Sequence, residues 1–111
     1  MDHPVRGGLY RVRTVLLSGT DPKSSRPVVV LALPPFGLPD VPVLARTSDT
    51  AERGVPHPRS PALQLTKDGV FGFRYQRSID IRHFANHDAV AYLGMLEERY
   101  FNQIVSWWEK L

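Results

Sequence analysis

The run Pro27-Val28-Val29-Val30-Leu31-Ala32-Leu33 constrains the fold more than any other stretch. An unbroken apolar run rich in β-branched residues cannot alternate between core and water. It therefore reads as a strand covered on both faces. Its leading proline sits where a missing N–H is tolerated. Around it the chain is heavily punctuated, with ten prolines and eight glycines in 111 residues. That spacing of breakers favours short strands and turns over a helical bundle.

Other segments extend this pattern. Residues 7–17, GGLYRVRTVLL, place Tyr10, Val12 and Leu16 on one face and Arg11 and Arg13 on the other, the period of a half-buried strand. Residues 34–40 form a turn-rich connection, and 41–47, VPVLART, a third strand. The polar, breaker-rich stretch 48–60 reads as a loop or the lip of a site. Residues 61–76 read as a hairpin turning at Lys67-Asp68-Gly69, with Gly69 available for positive φ and Phe71, Phe73 and Tyr75 on one face of the returning strand. Residues 77–88 suggest one short helical turn, and 89–95 a strand.

From about residue 97 the chain predicts a helix, on the spacing of Phe101, Ile104, Val105, Trp108 and Leu111. Glu97 and Glu98 in its first turn and Lys110 in its last suit the helix dipole. Trp107, at the edge of the apolar stripe, either finishes the core or belongs to an interface. The expectation is a single α+β domain over residues 1–111, its strands curled into a small SH3-like barrel with a C-terminal helix.

Composition narrows the function classes. With no cysteine there is neither a disulfide framework nor a thiolate metal site. No apolar window is long enough to span a bilayer, and MDHPVRGG has no signal-peptide core, so a cytoplasmic protein without membrane attachment is expected. A net charge of +3 permits a polyanionic partner without requiring one. His83 and His87, four apart, lack a third ligand in a usable pattern, so neither a metal nor a cofactor is expected.

One constellation carries chemistry. Arg26, at the mouth of the valine strand, offers a rigid fork of donors suited to phosphate. Asp21 lies five residues upstream, within reach of it, and the hydroxyls of Thr47 and Ser48 end the third strand. Carboxylate, guanidinium and hydroxyl together suit metal-free RNA cleavage, where a 2′-OH loses a proton as the phosphorane gains charge. The plainer alternative makes Asp21 a turn former, Arg26 its surface ion-pair partner and the hydroxyls strand caps. Lys23, Ser25, Arg74, Gln76 and Arg77 are the candidate RNA contacts. Arg74, Arg77 and Arg82 line a groove or else serve as charged guards of a strand edge.

With these residues in view, the chain resembles the MazF/PemK family of type II toxin–antitoxin ribonucleases over roughly residues 6–111. The resemblance rests on RGGLYRV (6–12), with Gly8 in place of the usual acid, and on GTDPKSSRPVVVL (19–31), VLARTS (43–48), QRSIDI (76–81) and YLGML before the final helix. It implies an SH3-like barrel, usually a homodimer, that cleaves single-stranded RNA without metal and is neutralised by a cognate antitoxin. It also implies that Arg26 is the catalytic arginine and Thr47 the hydroxyl with Ser48 beside it, and that Asp21 stands where some members carry glutamate; an unperturbed aspartate titrates near ~3.9 and a neighbouring arginine lowers it, so Asp21 reads as an orienting partner of Arg26 rather than the proton acceptor. Where some members place a histidine or a further acid, this chain has Ser25 and Arg74. Those departures, with Gly8, leave open a catalytically silent binder of the same fold, such as a CcdB-like gyrase inhibitor.

Overall fold

In the computed structural model, which describes residues 4–17 and 20–111, six antiparallel strands form one sheet. They are β1 (Gly8–Arg13), β2 (Ser25–Val30), β3 (Asp40–Thr47), β4 (Gly54–His57), β5 (Gly69–Asp80) and β6 (Val90–Met95). A single α-helix, α1 (Glu98–Trp108), follows. The strand order is β4-β5-β3-β2-β1-β6, and every pairing is antiparallel. The chain is thus α+β. Gly19, which opens the loop pattern quoted above, lies outside the described residues.

The valine strand behaves as its composition demands. Val28, Val29 and Val30 are each 0 % exposed, but they divide between two cores. Val29 joins Leu9, Leu31, Leu44, Phe71 and the α1 residues Phe101 and Ile104. Val28 and Val30 join Tyr10, Val12, Val43, Ile79 and Phe84 on the opposite face. Helix α1 covers the first face. The 3-10 turn Ile81–Ala85 packs on the second, to which it contributes Phe84. β5 is long and slips register against β3 between Leu44 and Arg46. A bulge of this kind bends a strand and increases its twist.

Several expectations are corrected. β1 stops at Arg13, and Thr14–Leu16 is a 3-10 turn, with the Thr14 N–H donating across to the Ser24 carbonyl and its Oγ1 to the Lys23 carbonyl. Residues 48–60, expected as a loop or the lip of a site, contain β4. Pro56 is tolerated there because β4 is an edge strand, and Val55 and His57 point inward on either side of it. Residues 61–76 are not a hairpin: Pro61–Leu63 is a 3-10 turn closed by a Ser60–Leu65 bridge, and β5 pairs with β4.

At the other end of the chain, α1 ends before Lys110, and Leu111 is 80 % exposed, outside the apolar stripe. Glu97 is the residue before the first turn. Trp107 packs inward, stacked on Phe73 at 4.5 Å between ring centroids. Among the described residues no helix is long and apolar enough to cross a membrane.

Candidate active site

Strand register builds the site. β2 and β3 pair with Val28 opposite Ala45, so two residues nearer the strand mouths Arg26 stands abreast of Thr47. Side chains alternate along a strand, so Arg26, Thr47 and Ala45 share the face that carries Val28 and Val43. There they wall a cavity of about 230 Å³ with Asp21, Tyr75 and Arg77. Arg26 occurs at this point because a proline follows it. Pro27 holds its predecessor extended and so directs the guanidinium along the sheet face rather than into a helical turn.

Asp21 sets the direction of that guanidinium. Its carboxylate accepts from Arg26 Nε at 2.5 Å and from Nη2 at 3.2 Å, with the two side chains only 16 % and 20 % exposed. The same carboxylate accepts from the Lys23 backbone N–H at 2.9 Å, so the turn forms around it. Both the turn-forming and the arginine-pairing roles of Asp21 are therefore present. The bond from Arg26 is the main cause holding its carboxyl below the ordinary 3.8; the Lys23 amide adds to it. An ionised carboxylate held in this way orients a cation well and accepts a proton poorly.

Thr47 is buried, and its Oγ1 accepts from the Asp49 N–H at 3.1 Å, which leaves the hydroxyl proton free to donate. Arg77 contributes a second guanidinium to the wall, with Nη1 tethered to the carbonyls of Arg74 and Gln76. The cavity is thus walled by two arginines, two threonines, Tyr75 and the Asp21 that pairs with Arg26. It can bind an anion and donate to charge that develops on it.

The remaining predicted residues lie elsewhere. Ser48 and Ser25 are outside this cavity and line a second one on the other face, where Lys23 Nζ donates to Ser48 Oγ at 3.3 Å and Arg11 Nη1 to Ser25 Oγ at 3.5 Å. Arg74 is turned away, paired with Glu52 at 2.9 Å and bonded to Tyr75 Oη. Gln76 donates to the carbonyl of its neighbour Arg77. Arg82 is paired with Asp80, whose carboxyl it holds down to about 2. Of the basic groove expected from the arginine spacing, Arg77 lines the cavity with Arg26, and Arg74 and Arg82 do not. His83 lies in a 3-10 turn and His87 beyond its end, so they do not share a helix face. Among the described residues no three metal-ligating side chains gather.

The sequence reading missed Arg46 and His57. Arg46 is only 4 % exposed and donates through Nε to His57 Nδ1 at 3.1 Å. Its Nη2 donates to three carbonyls, those of His57, Pro58 and Lys67. Burial foremost, then the adjacent guanidinium, push the His57 imidazole down to about 4. A signal existed: alternation along VLART puts Arg46 on the core side with Leu44. No known family model matches this chain, and neither does any curated protein.

Proposed function

We propose that this chain is a metal-independent endoribonuclease that cleaves single-stranded RNA, the toxin component of a type II toxin–antitoxin pair related to MazF and PemK. One observation carries the reading: a guanidinium from one strand and a hydroxyl from the next wall a single cavity, and a carboxylate fixes the guanidinium's direction. In the reaction the ribose 2′-oxygen attacks the adjacent phosphorus, the P–O5′ bond breaks, and the ends left are a 2′,3′-cyclic phosphate and a 5′-hydroxyl. The nucleophile's proton goes to solvent and the leaving oxygen takes one from it. Arg26 and Thr47 stabilise the added charge of the pentavalent phosphorus, with Arg77 as a further contact. Asp21 acts by positioning Arg26.

The same reading takes the six-stranded sheet with its terminal helix as an SH3-like barrel, and the protein as a cytoplasmic homodimer bound by an antitoxin. Tyr92 and Met95, half exposed on the edge strand β6, are apolar surface available to such partners. The competing reading, a silent binder such as a gyrase inhibitor, is favoured by one feature: no histidine is among the described residues that line the Arg26 cavity.

The deciding experiment incubates the purified protein with mixed-sequence RNA in excess EDTA. Cleavage leaving cyclic phosphate ends is expected, with a rate on the order of 100-fold lower in Arg26→Ala. Intact RNA with the native protein, or equal cleavage by Arg26→Ala, overturns the reading. Co-purification with a topoisomerase subunit in place of cleavage supports the silent binder.

A further inference from the structure

The second cavity, about 180 Å³, lies at the same strand mouths but on the opposite face of the sheet. Arg46 stands two residues from Leu44 on that face, and Ser25 and Pro27 point there as Arg26 points away. Arg11, Lys23, Arg46 and Lys67 line the cavity, with Arg26 at its border, and no carboxylate is among its described lining residues. Arg26 borders both cavities, so the two are adjacent.

Arg46 makes this a built site rather than a chance gathering of surface lysines. Its Nε and Nη2 are held by His57 and three carbonyls, which lock the plane of the guanidinium. Its Nη1 has no acceptor among the described residues, although no buried side-chain nitrogen or oxygen is left without a partner. Nη1 is therefore the part of the fork left to meet a ligand, and Arg46 is among the residues that line the cavity. A Cβ on Gly69 would lie 2.6 Å from Nη1, so this glycine keeps the position open for it. Among the described residues no carboxylate forms an ion pair with this buried guanidinium, Asp68 acting on it only from farther off, and Arg11, Lys23 and Lys67 bring further positive charge to the same cavity. A compact, multiply charged anion with several acceptor oxygens relieves that repulsion and matches the fork of donors.

We infer that this cavity is a second anion subsite, and that it binds a phosphoryl group. On the RNA reading above, it takes the phosphate next to the scissile one and so sets how the strand crosses the sheet mouth; the anion site itself does not require cleavage. The test titrates the intact, isotope-labelled protein with inorganic phosphate and, separately, with a 2′-deoxy oligonucleotide that cannot be cleaved. The arginine side-chain resonance of Arg46 is followed by NMR, and affinity by anisotropy across a salt series.

The expected result is a saturable shift of the Arg46 signal. The surface variants Lys67→Ala and Arg11→Ala should each weaken oligonucleotide binding about fivefold and lower the salt slope by about one. Displacement of phosphate by the oligonucleotide assigns the site to a nucleic-acid strand, and phosphate that is not displaced assigns it to a free phosphoryl ligand. Either outcome supports the subsite. An Arg46 signal unmoved by both ligands, with unchanged affinity in both variants, overturns it. If the protein does not cleave RNA yet the Arg46 signal still responds, the nuclease reading fails and the subsite stands.

Discussion

The side chain of Arg46 on β3 passes over Gly69 of β5 to reach His57 on β4. His57 pairs with Gly69 across the ladder, and the Arg46 guanidinium occupies the space where a Cβ of Gly69 would sit. One arginine thus ties three neighbouring strands together at the end of the sheet where both cavities open. Its Nη2 is held by three carbonyls and its Nε by the neutral His57 imidazole, so protonation of His57 removes the Nε bond from this tie.

Stability is accordingly expected to fall in mild acid. His57 takes its proton at about 4 in the folded chain against 6.5 when unperturbed. Between those values the unfolded chain binds the extra proton, so stability is complete above pH 6.5 and is lost as pH falls toward 4. The shift corresponds to about 3 kcal/mol. Urea denaturation at pH 7, 5.5 and 4.5 measures it, and a flat midpoint over that range would contradict the buried neutral imidazole.

Gly69→Ala should destabilise the protein by about 1–3 kcal/mol, because the new methyl meets both the Arg46 guanidinium and the carbonyl oxygen of Thr47, at 2.5 Å. Amide hydrogen exchange on β4 should rise together with the loss in melting temperature. A variant as stable as the parent would mean that Arg46 does not occupy that space in solution.

Asp21 and Arg26 should act as one unit. Asp21→Asn is expected to lower RNA cleavage about tenfold or more, and adding it to Arg26→Ala should produce almost no further loss. Because the bond from Arg26 holds the Asp21 carboxyl below 3.8, the group remains ionised down to that pH. The ratio of parent to Asp21→Asn rates should thus be the same at pH 7 and pH 5. A ratio that collapses at pH 5 would make Asp21 the proton acceptor instead.

Ile104 tests the helical cover. It is 0 % exposed and sits in the core shared with Leu9, Val29 and Phe71. Ile104→Ala should cost about 2–5 kcal/mol. Equilibrium denaturation measures the loss; a value under 1 kcal/mol would show that α1 is loosely docked.

Local chemistry was enough to determine much of this protein. The valine run is buried on both faces because it has no polar alternation to offer water, and α1 follows from a stripe of apolar residues at helical spacing. Asp21 and Arg26 are near enough in sequence for their pairing to be legible. Pairing across the sheet was decided elsewhere. Which residues stand abreast of Arg26 depends on the register of β2 against β3, and that brings in Thr47 while sending Ser48 and Ser25 to the other face. Arg74 was drawn to Glu52, a partner twenty-two positions away. β4 escaped notice because an edge strand can carry a proline and point a histidine inward, provided a distant arginine meets it. Propensity and periodicity act over a few residues; the meeting of Arg46 with His57 depends on three strands closing at once, and only the folded sheet supplies that.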